Sequence, residues 1–148
     1  MSEEAKADLG LERTRLSRVQ ERFHYIKKVG HGPYSDVYHV VKDDTHYGLK
    51  VMAKNNLGND YIERFWLEAS ILSSLNHPGI IRFHDAFTDN DSLYLLTELL
   101  SGGGLLDYIL ERGAFSEVEA AAIIRSMLET IKYLHDSNYV HLDISMHI

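Results

Sequence analysis

Gly30-His31-Gly32-Pro33-Tyr34-Ser35-Asp36-Val37 leads directly into Tyr38-His39-Val40-Val41, a polar turn at Lys42-Asp43-Asp44-Thr45, and a return run Tyr47-Gly48-Leu49-Lys50-Val51-Met52. Apolar residues alternate with a period of two on both sides of the turn, which predicts a pair of strands behind a glycine-rich bend. A bend of small residues lets backbone N–H groups approach an anion, and the expectation is that its glycines take unusual φ values to do so. Lys50, placed inside the return strand, supplies a positive charge under such a flap. The stretch therefore reads as a lid for phosphates.

Two other phosphate loops are excluded by the residues after the glycines. A dinucleotide-binding turn opens a helix, whereas here a second strand-type run comes next, and position 35 is Ser. A P-loop ends in Gly-Lys-Ser or Gly-Lys-Thr, and this bend has no such ending.

The 148 residues and their 45% hydrophobic content suffice for one domain with a real core. A net charge of -7 argues against nucleic acid as the main partner. Arg13, Arg15 and Arg18 are read as a solvated patch. The acidic start Met1-Ser2-Glu3-Glu4-Ala5 lacks a signal-type apolar core, and no apolar run is long enough to span a bilayer, so a cytoplasmic protein without membrane contact is expected. With no cysteine, disulfides and thiol chemistry are excluded. The nine histidines are scattered with no i, i+4 pair, which speaks against a helical zinc site.

In chain order, residues 1–22 read as an N-terminal extension whose thin stripe (Leu9, Leu16, Val19, then Phe23) marks a marginal helix. Tyr25-Ile26-Lys27-Lys28-Val29 is a first strand. A helix is predicted from about Asp60 to Leu75, with Ile62, Phe65, Trp66, Ala69 and Leu72 on one face. Glu68 sits at the edge of that stripe, positioned either toward solvent or toward Lys50. Strands are predicted over Ile80–Phe87 and Leu93–Thr97, followed by a hinge through Gly102-Gly103-Gly104. A short helix over Leu105–Leu110 precedes a long one opened by Ser116 with Glu119 as a capping box. The long helix carries Ala120, Ile123, Ile124, Met127, Leu128, Ile131 and Leu134 on one broad face, and Arg125, Glu129, Lys132 and Asp136 on the other. Leaving that apolar face uncovered forfeits roughly 1.5 to 3 kcal/mol per large side chain, which predicts a second half that is molten, chaperone-bound or joined to a partner.

With the hairpin, Lys50 and Glu68 in place, the chain resembles the protein kinase family. The pattern G-x-G-x-x-G-x-V corresponds to Gly30, Gly32, Ser35 and Val37, with Ser at a position where the family accepts it; Lys50 is the lysine of V-A-I-K, and Glu68 its partner acid. Asn76-His77-Pro78-Gly79-Ile80-Ile81 is similar to the segment after that helix. Leu93-Tyr94-Leu95-Leu96-Thr97-Glu98-Leu99-Leu100 resembles the strand entering the adenine hinge, with Thr97 as gatekeeper and main-chain groups of Glu98 and Leu100 on the adenine. Tyr139-Val140-His141-Leu142-Asp143-Ile144 is similar to the start of the catalytic loop, with Asp143 as the base. Thr97-Glu98-Leu99-Leu100-Ser101-Gly102-Gly103 and Ala120-Ala121-Ala122-Ile123-Ile124-Arg125 are most similar to the calmodulin-dependent group of Ser/Thr kinases.

The resemblance implies an α+β fold: a small lobe of a five-stranded antiparallel sheet plus one long helix over 23–97, a hinge over 98–104, and the first two helices of an incomplete helical large lobe over 105–148. It implies ATP as cofactor, Mg2+ in a complete family member, and a protein substrate. The pattern departs at its end. Leu142 stands where the family has Arg, Ser145 replaces the catalytic-loop Lys, and Ile148 occupies the position of the magnesium-holding Asn. The D-F-G and A-P-E segments do not occur in the 148 residues. The expectation is a truncated chain, inert by itself, with Lys50, Glu68 and Asp143 in place and no metal ligands. The alternative is a pseudokinase-like module that engages a partner, such as a full kinase, through its exposed helix face.

Overall fold

The computed structural model describes residues 22–144, in two compact units. The expected N-terminal helix with Leu9, Leu16 and Val19, the patch of Arg13, Arg15 and Arg18, and the positions Ser145 and Ile148 lie outside the described residues. One unit holds the described residues through Ser74 together with Arg82–Leu99; the other holds Leu75–Ile81 and the described residues from Leu100 onward.

The first unit contains β1 (His24–His31), β2 (Asp36–Lys42), β3 (Thr45–Ala53), α1 (Asn59–Ser74), β4 (Phe83–Thr88) and β5 (Ser92–Glu98), with one 3₁₀ turn at Lys54–Asn56. The strands form one antiparallel sheet in the order β1-β2-β3-β5-β4. Period-two alternation gives this sheet two working faces. Tyr38, Val40, Leu49, Val51, Tyr94 and Leu96 point to one and are buried with Phe23. Met52, Leu93 and Leu95 point to the other, where Phe65 and Ala69 of α1 cover them. The β2–β3 connection is tight: Lys42 pairs with Thr45, and the two central residues Asp43 and Asp44 have φ of 49° and 58°. Positive φ at both positions is the twist a two-residue hairpin requires, and Asp tolerates it better than most side chains.

Three expectations are corrected here. The fourth strand begins at Phe83, not Ile80, because Ile80 N–H bonds back to the His77 carbonyl at 3.0 Å in a turn. Trp66 is 40% exposed while Phe65 and Ala69 are buried; it lies at one edge of the apolar stripe, its ring T-shaped to that of Phe65 at 5.2 Å. Among the described glycines, positive φ occurs at Gly103 and Gly113 and not at Gly30 or Gly32. The glycine bend thus needs no left-handed backbone at Gly30 or Gly32.

The second unit contains α2 (Leu105–Arg112) and α3 (Glu117–Asp136). α2 runs one half-turn beyond the expected end, to Gly113, whose φ of 89° a side chain would strain. α3 opens with the predicted capping box: Ser116 accepts from the Glu119 N–H, and the Ser116 N–H donates to the Glu119 carboxylate at 2.9 Å. It closes with Asn138 at φ 63°, where Tyr139 N–H reaches the Leu134 carbonyl and Asn138 N–H the His135 carbonyl, a Schellman arrangement. The apolar face of α3 divides into two rows. Ile123, Met127, Ile131 and Leu134 are half-buried, whereas Ile124 and Leu128 are 54% and 59% exposed. Leu75–Ile81 packs within this unit, with His77 stacked on Tyr133 at 4.8 Å and Asn76 N–H donating to the Tyr133 hydroxyl.

Candidate functional site

The register of β2 and β3 decides which side chains lie beneath the glycine bend. Val37 pairs with Lys50, so both side chains emerge on the sheet face that α1 covers. Glu68 rises from α1 on the edge of the helix opposite Trp66. Lys50 Nζ donates to Glu68 Oε1 at 2.9 Å and to Oε2 at 3.2 Å. Of the two positions open to Glu68 from sequence, toward solvent or toward Lys50, the structure shows the second. The pair retains 30% and 42% side-chain exposure.

The bend itself is held shut at its base. Gly30 pairs with Val37 and His31 with Asp36, leaving Gly32 to Ser35 as the tip, closed by Gly32 N–H donating to the Ser35 carbonyl at 2.7 Å. A Cβ on Gly30 or Gly32 would meet its neighbours at 3.4 Å or more, an ordinary contact. The chain's own packing therefore does not require glycine at either position. Asp36, one residue past the tip, accepts from Lys28 Nζ at 2.9 Å and from His31 Nδ1 at 2.6 Å. Burial pushes the Asp36 carboxyl up, but those two hydrogen bonds and charges outweigh it and hold the carboxyl below its usual value. At the tip, the Tyr34 ring lies 5.1 Å from that of Tyr61 on α1, so the helix that carries Glu68 also touches the flap.

Thr97 and Gly48 are register partners on the same face. Thr97 turns its hydroxyl toward the Gly48 and Glu98 carbonyls, at 3.4 and 3.2 Å. A Cβ at position 48 would sit 3.2 Å from that hydroxyl, so Gly is fitted to Thr97 as it stands. The Glu98 carboxylate is engaged by the Arg82 N–H at 2.7 Å, and the Glu98 N–H by the Arg82 carbonyl. Leu100 and Asp143 belong to the second unit, where Leu100 is 66% exposed and Asp143 N–H donates to the His141 carbonyl. Leu142, between His141 and Asp143, is 91% exposed with φ of 59°.

Sequence reasoning thus located Gly30, Gly32, Ser35, Val37, Lys50, Glu68, Thr97 and Glu98 within one sheet, its glycine bend and α1. It missed the Asp36 clasp and the Tyr34–Tyr61 contact. The first was open to inference from the β1–β2 register; the second depends on the approach of α1, for which no local signal exists. Among the described residues no group of three His, Cys, Asp or Glu is placed to hold a metal ion. No helix among the described residues is long and apolar enough to cross a membrane.

A family profile described as the protein kinase domain matches residues 23–147. Myosin light chain kinase A of Dictyostelium discoideum is 36% identical over 131 residues, which cover 87% of this chain and 44% of that protein. Calcium-dependent protein kinase 5 of Plasmodium falciparum is 37% identical over 131 residues, 87% of this chain and 22% of that protein. Among solved structures, a crystal structure of Rad53 1-466 in complex with AMP-PNP superposes with a TM-score of 0.74 at 30% identity, over 86% of this chain and 34% of that one. The chain therefore spans less than half the length of each of these relatives.

Proposed function

The chain belongs to the protein kinase family, and from that premise we propose that it carries the nucleotide clamp of a Ser/Thr protein kinase of the calmodulin-dependent type. The reaction is transfer of the γ-phosphoryl group of ATP to a protein hydroxyl: the hydroxyl oxygen forms a bond to phosphorus, the bond to the departing ADP oxygen breaks, and the hydroxyl proton passes to a base. Lys50 binds α- and β-phosphate oxygens, and Glu68 holds it in place. The flap from Gly30 to Val37 covers the phosphates. Thr97 and the main chain of Glu98 and Leu100 take the adenine, and Asp143 is the base in the whole protein.

The observation that carries this reading is the two-pronged Lys50–Glu68 contact on the face below the glycine bend. An unpaired lysine would be free to wander; one gripped by a carboxylate presents its remaining protons to a fixed point. Isothermal titration of residues 1–148 with ATP tests it. Saturable binding that Lys50→Met weakens at least tenfold is expected, and affinity indifferent to that substitution rejects the assignment. The same polypeptide is expected to transfer no radioactive phosphate to protein by itself, since Ile148 offers no oxygen to a metal at the position of the family's Asn.

A second reading, a module that binds a partner kinase, is favoured by the exposure of Ile124 and Leu128. It predicts a complex of fixed stoichiometry that Ile124→Glu with Leu128→Glu abolishes while ATP affinity stays unchanged.

A further inference from the structure

Sequence spacing suggested no metal site, yet the β2–β3 hairpin brings two histidines together. Val41 pairs with His46 and His39 with Gly48, so His39 and His46 lie on one face of the sheet as diagonal cross-strand neighbours. Nε2 of His39 is 2.7 Å from Nδ1 of His46, and the ring centres are 4.9 Å apart. We propose that His39 and His46 form a two-imidazole site for a late first-row divalent cation, Zn2+, Ni2+ or Cu2+, with water completing the coordination.

The spacing of the rings supports this directly. A metal about 2.0 to 2.1 Å from each ligating nitrogen places the two ring centres about 4.5 Å apart if the nitrogens subtend a right angle and about 5.2 Å apart if they subtend a tetrahedral one. The observed 4.9 Å lies between them. The rings need only turn until their lone pairs converge on one point instead of facing each other along a hydrogen bond. In that bond one ring donates and the other accepts; on metal uptake the donor ring carries its proton on its other nitrogen, so two neutral rings bind without net proton release.

The surroundings favour a neutral His39 ring. Burial, followed by the charges of His46 and Lys27, lowers the proton affinity of His39. Lys27 is the β1 partner of His39, and His24 is the β1 partner of Val41, which lies beside the pair. The Lys27 charge opposes a cation, and no third protein ligand is grouped there among the described residues. The site is therefore selective by ligand type. Imidazole nitrogen suits the late divalent ions, whereas Mg2+ and Ca2+ require oxygen. Because strands β2 and β3 are both held by the sheet, the ion would cross-link the hairpin.

The test is titration of residues 1–148 with ZnCl2, NiCl2 and CuCl2 in a non-chelating buffer, with MgCl2 as control. Expected are uptake of one ion per chain, a thermal midpoint raised by a few degrees at about 0.1 mM Zn2+, and loss of both effects in His39→Gln and in His46→Gln but not in His24→Gln. Paramagnetic broadening by Ni2+ or Cu2+ should be centred on β2 and β3. Each variant's melting without metal should match the parent, showing that the hairpin is intact. Absence of stoichiometric uptake up to about 1 mM overturns the proposal. So does uptake that survives in the double variant, or that His24→Gln removes equally well. None of these outcomes depends on whether the chain binds nucleotide.

Discussion

If Glu68 acts by positioning Lys50, the two side chains must be energetically coupled in nucleotide binding, and a double-mutant cycle isolates that coupling. Lys50 Nζ reaches both carboxylate oxygens, at 2.9 and 3.2 Å, but Glu68 keeps 42% of its side-chain surface in solvent. Screening at that exposure limits the pair to about 0.5 to 1 kcal/mol, a factor of about 2 to 5 in affinity. The charged hydrogen bond from Lys50 to phosphate is worth more, about 1.5 to 3 kcal/mol, or about 10- to 150-fold. Lys50→Met should therefore weaken ATP binding by the larger factor and Glu68→Gln by the smaller one. In the Lys50→Met background, Glu68→Gln should add nothing measurable. The single tryptophan, Trp66, lies two residues from Glu68 and is exposed, which makes its fluorescence a local reporter for the titration. Equal weakening by Glu68→Gln with and without Lys50 would refute the coupling, since Glu68 would then act on the nucleotide by some other route.

Gly79 is confined by Thr130, whose hydroxyl would lie 1.9 Å from an added Cβ. Gly79→Ala should cost about 1 to 3 kcal/mol in denaturant unfolding, partly restored by Thr130→Ala; a gain in stability, as a relaxed loop Gly→Ala gives, would contradict the packing. Asn138 caps α3 from the left-handed region, so Asn138→Val should cost about 1 to 2 kcal/mol by thermal melting while Asn138→Gly is neutral or better. Asp36→Asn should cost about 0.5 to 1 kcal/mol at neutral pH by loss of the Lys28 and His31 contacts. The Asp36 carboxyl is held low in the folded state, so its contribution is present above the ordinary carboxylate range and lost as pH falls through the folded value. Urea midpoints of parent and variant should consequently converge below about pH 4; a constant difference down to about pH 3 would exclude the linkage.

The sequence by itself determined the elements and their faces. Alternation over Val37–Val41 and Tyr47–Met52 specified two strands, the glycines marked the bend, and the capping box at Ser116 and Glu119 was legible because its partners are three residues apart. Such features are local, and local sterics and periodicity suffice to write them. Only the tertiary structure decided which faces meet. Lys50 and Glu68 are eighteen residues apart, and nothing near either one specifies that the carboxylate turns inward while Trp66, at the other edge of the same stripe, remains half outside. The strand expected from Ile80 gave way to a turn because Leu75–Ile81 packs on α3, a contact no pattern around Ile80 encodes. The pairing of His39 with His46 depends on a two-residue turn that sets the register, since a slip of one residue would send the two rings to opposite faces.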